Sequence, residues 1–467
     1  MALALALLLA TAMRVAYGLV FLVACGDSKP ATPDAHVNVD APPMVDAAVD
    51  AAVVEPPLSA ADLAKLGLQS PLPAVPADTT NAFADNAAAA RLGQMLFFDK
   101  SYAGALAVAD DGTNGGLGVI GDTGKVSCAS CHAVGSDGLD DRRSSPNNVS
   151  LGTNFGTRNA LGVINAAFYT WTNWGGRFDS QWSLPTAVAE NAGIMNSTRL
   201  QVAHMLYAKY RTEYNAVFPV ALDPDLDPTA TNASRFPASG KPGQANWDTG
   251  TLAADQAIVN RIYANYGKAL AAYMRKLVSR NAPFDRFIAG DKTAISVSAQ
   301  RGAKLFLDKD CVGCHSGPDF TDNLFHALVV AQTGPHVPAA DNGRFQDVPG
   351  LLASPFNVNG AYSDNTNTGK LTGLVQDNAQ KGQFRTKSLR NIVGAGPYMH
   401  SGQLATLEDV INFYDMGGGD PGSSGIIKDS KMMPLNLTAG EKADLVEFMK
   451  TLSGEPLAPA LIVDISK

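Results

Sequence analysis

Beyond residue 57 the apolar positions fall mostly at helical spacing. The stretches NAAAARLGQMLFFD, TRLQVAHMLYAKYRTEYNAVF, ADQAIVNRIYANYGKALAAYMRKLVS and TAGEKADLVEFMKTLSG repeat large apolar side chains at intervals of three and four, the period that lays them along one face of an α-helix. Strand-like alternation is scarce. Between the helical stretches run segments rich in Gly, Asn, Asp and Pro, among them 103–125 and 341–383, whose composition and length mark functional loops rather than elements. The pattern predicts an all-α protein with long loops.

The same pattern repeats. RLGQMLFFD ends in apolar residues ahead of a Cys-x-x-Cys-His, and SAQRGAKLFLDKDCVGCH does so again in the second half. The parallel points to duplicated units, 58–285 and 286–467, divided within RNAPFDRFIAGDKTAIS, where Pro283 and Gly290 interrupt helical pattern. An apolar content of 46% over 467 residues is enough for cores of this size.

Ahead of residue 58 the pattern changes. Residues 1–25 are an apolar run containing Arg14 and ending in Leu22, Val23, Ala24 and Cys25. This resembles a bacterial lipoprotein signal, which would anchor the chain to a membrane by lipid at Cys25, in the periplasm or on the outer surface. A start at Met13 would place Arg14 in a charged leading segment. A transmembrane anchor is the other reading of the run, and either exports the rest. Residues 26–57 are Ala, Asp and Pro with few large apolar side chains, a disordered tether in which His36 is an ordinary solvated histidine. The net charge of −8, from 36 basic against 44 acidic residues spread along the chain, excludes nucleic acid as a partner.

The chemistry lies in the cysteines. Of five, Cys25 belongs to the signal, and the rest form two pairs, Cys128 with Cys131 and Cys311 with Cys314, each followed at once by a histidine, His132 and His315. A pair alone is compatible with a redox disulfide or half a zinc site. The histidine favours covalent haem, in which the thiols add to the vinyl groups and the imidazole ligates iron. Zinc would need the pairs joined, and they lack zinc-ribbon spacing. Two c-type haems are expected, with His132 and His315 as proximal ligands.

RLGQMLFFD, CASCH, GTRNALGVINAAFYTWTNWGGRFDSQW, CVGCH and GQFRTKSLRNIVGAGPYMHSGQLATLEDVINFY together resemble the bacterial di-haem cytochrome c peroxidases and the related MauG-type enzymes. The resemblance implies two cytochrome-c-like helical domains, peroxide or oxygen reacting at the first haem and electrons passing through the second. It implies that Trp174 relays electrons between the haems. It also implies a calcium ion held by Asn159 and the carbonyls of Ala395 and Pro397, oxygen ligands suited to a hard cation, with His400 near the haem interface. Expected partners are hydrogen peroxide and an electron-donor protein, a small cytochrome or cupredoxin, or a protein substrate, with a homodimer possible. For the second haem's sixth ligand the candidates are Tyr414, at the position matched after HSGQ, and Met416; tyrosine is the MauG-type arrangement.

The first haem departs from the family pattern. Leu151 stands where a distal histidine is often found, and Ile194 where the peroxide-cleaving glutamate is expected; isoleucine cannot move a proton. Glu190, one helical turn earlier, is the substitute candidate, with a capping or surface carboxylate as its ordinary role. Leu184 and Val188 leave the pocket apolar. His204 reads as a satisfied helix histidine, while His326 and His336 are weak candidates for an axial ligand. The sequence therefore predicts a peroxidase-type oxidoreductase, with a non-enzymatic di-haem electron-transfer protein as the rival.

Overall fold

A computed structural model describes residues 57–110, 116–135 and 149–467. The signal with Cys25 and the tether with His36, up to residue 56, lie outside the described residues. Within them run α1 (Ala60–Gly67), α2 (Ala87–Phe98), α3 (Cys128–Cys131), α4 (Ser183–Glu190), α5 (Arg199–Val217), α6 (Ala245–Asp248), α7 (Ala253–Met274), α8 (Pro283–Ile288), α9 (Val297–Asp308), α10 (Arg344–Ala353), α11 (Leu407–Asp415) and α12 (Ala439–Lys450). A two-stranded antiparallel ribbon, β1 (Phe325–His326) and β2 (Phe384–Arg385), pairs Phe325 with Arg385 and His326 with Phe384. The fold is mostly helical with long loops.

The helices begin where their caps dictate. Asn86 Oδ1 accepts from the Ala89 N–H at 2.9 Å and Ser296 Oγ from the Ala299 N–H at 3.1 Å; each such cap contributes about 1 kcal/mol. Pro283, expected to interrupt the helical pattern, instead opens α8 at a position where its missing N–H costs nothing.

Among the described residues two large buried apolar clusters stand beside two small ones. The first gathers α2, α5 and α7 around Leu96, Phe97, Leu206, Tyr263 and Leu270; the second gathers α8, α9, α11 and α12 around Phe284, Phe306, Phe320 and Phe448. Each rests on a close helix pair. A Cβ at Gly93 of α2 would collide with the Ala269 carbonyl and Tyr273 of α7, and one at Gly302 of α9 with the Asp444 carbonyl and Phe448 of α12. Four residues after each glycine an aromatic meets the partner helix: Phe97 with Tyr273 and Phe306 with Phe448, both at 5.2 Å between ring centres.

The clusters exchange chain ends. Leu58 and Leu66 join the second, while Leu457 joins the first. The tail is pinned there by Gln94 Nε2, which donates to the carbonyls of Ala460 and Val463 at 2.8 and 3.0 Å, and by Tyr273 OH, which donates to that of Leu461 at 2.6 Å. A cut at residue 285 does not separate the side chains of the two clusters.

The expected loop 341–383 contains α10. Pro349 inside it can give no N–H to the Phe345 carbonyl, but Gln376 Nε2 donates there at 2.9 Å. Burial of Val348 and Leu351 then overrides the Pro-Gly signal.

Candidate functional site

Both cysteine pairs sit on single tight turns. Cys128–Cys131 is α3, and Cys311–Gly313 is a 3₁₀ turn. In each the histidine N–H returns to the carbonyl of the first cysteine, His132 to Cys128 at 3.0 Å and His315 to Cys311 at 2.9 Å, so both thiols and the imidazole leave one turn of backbone. Burial pushes the Cys128 thiol up to about 11 and the Cys311 thiol up to about 12. Such burial disfavours the free thiolates that redox exchange would need, whereas a thioether carries no charge.

Each turn borders a cavity lined mainly by apolar side chains. The first, about 80 Å³, holds Cys128 and His132 with Leu184, Val188 and Tyr266; the second, about 240 Å³, holds Cys311, Cys314 and His315 with Phe306 and Tyr414. Both exceed the ~30 Å³ of one water. His315 Nδ1 lies 3.1 Å from the Phe320 carbonyl; donation there assigns the proton to Nδ1 and leaves Nε2 as the ligand atom. The donor sets fit covalent haem.

A thin wall stands between the cavities. Leu161, Gly162 and Arg385 line both. Asn173 lines the first and Trp174 the second. The Trp174 indole donates to the Asn159 carbonyl at 2.8 Å, and its ring lies 6.2 Å from that of His400. Asn159 Nδ2 donates to the carbonyls of Pro397 at 3.1 Å and Met399 at 3.3 Å, leaving Oδ1 buried without a donor. Ala395 and Pro397 border the second cavity as well. Trp174, Asn159, Ala395, Pro397 and His400 are thus brought together.

Glu190 is placed elsewhere. Its carboxylate takes Arg199 Nε and Nη2, both at 2.8 Å, and the Arg199 N–H at 3.1 Å, closing the start of α5; it does not line the first cavity. Ile194 packs against the first cluster, and Leu151 is buried beside Cys131. No carboxylate lines the first cavity among the described residues. The acid-base role considered for Glu190 therefore has no geometric support.

Around the second cavity, Tyr414 lines the wall while Met416, at the end of α11, is 67% exposed and outside it. Burial holds the Tyr414 phenol well above its ordinary value, so it ionises only beside a cation such as ferric iron. Both His326 nitrogens are taken, Nδ1 by Asp429 at 2.6 Å and Nε2 by Asp322 at 2.9 Å. Cys314, Asp322 and His326 are close enough to suggest a metal group, but Cys314 belongs to an attachment turn and both nitrogens of His326 are already engaged by carboxylates. His336 stacks on Phe155 outside both cavities. His204 bonds the carbonyls of Leu226, Phe236 and Pro237. Sequence reasoning missed Met432, Tyr169, Arg385 and Lys387 as lining residues; nothing in their local pattern sets them apart from core and surface.

Two haem-attachment turns, each on an apolar cavity in a helical chain, define a c-type haem protein with two sites. The comparisons narrow the class. A family model described as di-haem cytochrome c peroxidase matches residues 87–293. The cytochrome-c peroxidase IdrP1 of Denitromonas iodatirespirans is 32% identical over 416 residues, 87% of this chain and 92% of its own. The methylamine utilization protein MauG of Methylorubrum extorquens is 29% identical over 383 residues, 79% of each. A solved MauG-like protein associated with microbial copper homeostasis shares the fold with a TM-score of 0.57 at 24% identity, over 85% of this chain and 97% of its own. The chain belongs to the di-haem cytochrome c peroxidase family, and membership implies two haems and an oxidoreductase.

Proposed function

We propose that this is an exported, lipid-anchored oxidoreductase that meets peroxide or oxygen at the site of Cys128, Cys131 and His132 and draws electrons through the site of Cys311, Cys314 and His315. The observation that carries the reading is the pair of attachment turns on cavities with a shared wall. A c-type haem held there would supply one-electron and peroxide chemistry. The chain's own residues orient and insulate it. His315, fixed through Phe320, presents Nε2, and Tyr414 is the proposed sixth ligand. Trp174, at the wall, is the proposed relay. The buried Asn159 Oδ1, with the Ala395 and Pro397 carbonyls, is the proposed calcium site; chelation that leaves electron exchange between the haems unchanged would rule it out. Export is proposed from the signal-like residues 1–25, with Cys25 as the lipid site; among the described residues no helix is long and apolar enough to cross a membrane. A small cytochrome or cupredoxin is the proposed donor, or a partner protein the substrate.

A second reading, a di-haem electron carrier with little peroxide chemistry, is favoured by the first cavity's lack of a carboxylate. Peroxide turnover by the purified holoprotein with a reduced donor separates the two. Slow wild-type turnover is expected, because loss of an acid-base group typically costs ~10²–10⁴-fold, with a gain in Val188→Glu, at a position that lines the first cavity. No detectable turnover in either protein would leave the carrier reading. The spectrum assigns the axial ligand: Tyr414→Phe should alter the second haem, and a change in Met432→Ala instead would give the place to methionine.

A further inference from the structure

The wall between the cavities holds more positive charge than its neighbours balance. Among the described residues Arg385, 2% exposed, is the only charged one lining both cavities. Its Nη1 makes only long contacts, to the Thr386 carbonyl at 3.3 Å and Asn323 Oδ1 at 3.5 Å, while Nε and Nη2 have no acceptor in hydrogen-bond geometry and the neutral Tyr169 phenol is the polar group that the guanidinium meets. Its guanidinium lies 3.8 Å over the Tyr169 ring, and Lys387, lining the second cavity, donates from Nζ to Tyr169 OH at 3.1 Å. The nearby carboxylate is Asp319. One of its oxygens accepts from Ser388 at 3.1 Å and the other has no partner, and burial raises it to about 7. Burial, with the Arg385 charge added, drives Lys387 well below its ordinary value.

A buried cation without a counter-charge costs several kcal/mol, and the open Nε–Nη2 edge is the one that takes a carboxylate with two parallel hydrogen bonds. We infer that Arg385, supported by Lys387, anchors a carboxylate side chain of a bound haem and that its charge acts on both haems at once. The inference rests on the two-haem reading and makes Arg385 a positioning residue. A cation there disfavours ferric iron, so its charge raises both reduction potentials.

The test is potentiometric titration of the holoprotein, with resonance Raman spectra of the haem carboxylate modes. Arg385→Gln should lower both midpoint potentials, about tenfold in each reduction equilibrium or 59 mV for one electron, and shift the carboxylate band. Arg385→Lys should restore the potentials in part but not the band. If Arg385→Gln does not load haem, Lys387→Met, which removes the support of Arg385, should still shift the carboxylate band. Unchanged potentials and an unchanged band, with two haems present, overturn the inference and leave the two-haem reading standing; a haem count other than two removes that reading itself. A spectral response to acetate that Arg385→Gln abolishes, without any band shift, would assign the edge to a free carboxylate and also overturn it.

Discussion

His400 is buried within the wall, its ring stacked 3.7 Å from that of Phe384 and its Nε2 2.5 Å from the Gln332 amide nitrogen. Burial pushes it down to about 3, the nearby Arg158 charge adding and Asp341 opposing. Between about pH 6.5 and 3 the unfolded chain protonates this histidine and the folded chain does not, so the unfolded state binds more protons and stability falls as pH drops through that window. Denaturant titrations of wild type should carry a slope of up to ~1.4 kcal/mol per pH unit there, which His400→Gln removes. An equal slope in the variant would place the titration elsewhere. Residue identity was legible at this scale and partnership was not. The cysteines and histidines of both attachment turns stood out because covalent chemistry demands adjacency along the chain. Glu190 was readable as a carboxylate one turn from Ile194, yet Arg199, nine residues on, claims it through a contact that local pattern does not encode.

At the scale of elements, the two halves use one device. Gly93 and Gly302 let α2 reach α7 and α9 reach α12 at backbone distance, each followed one turn later by an aromatic against the partner helix. Alanine at either position must push a helix away from a carbonyl, and such overpacking typically costs ~1–3 kcal/mol. Chemical denaturation of Gly93→Ala and Gly302→Ala should show this loss, with reduced haem retention at the corresponding site; a midpoint equal to wild type would mean the helices separate freely. The long helices were readable because their apolar period is continuous. α10 was not, since its Pro349 and Gly350 carry the signature of a loop and the carbonyl they strand is satisfied by Gln376, distant in sequence.

Across the whole molecule, Arg158 ties the first half of the chain to the second. It donates to Asp341 at 2.6 and 2.7 Å and to Asp347 of α10 at 2.6 Å, both carboxylates being buried and the arginine half-buried. Removing the arginine leaves two buried carboxylates without their cation. Arg158→Ala should lose ~3–5 kcal/mol in equilibrium unfolding, and a loss below about 1 kcal/mol, typical of an exposed pair, would show that water reaches the site. What the sequence determined alone is what repeats or adjoins along it: the helical period, the two attachment turns, the apolar-ended helix ahead of each and the family to which these belong. Only the tertiary structure decided which chain end packs in which cluster, that Tyr414 rather than Met416 borders the second cavity, and that Arg385 stands between the two. Burial and charge balance depend on groups tens to hundreds of residues apart, and close packing brings them together without leaving a local signal.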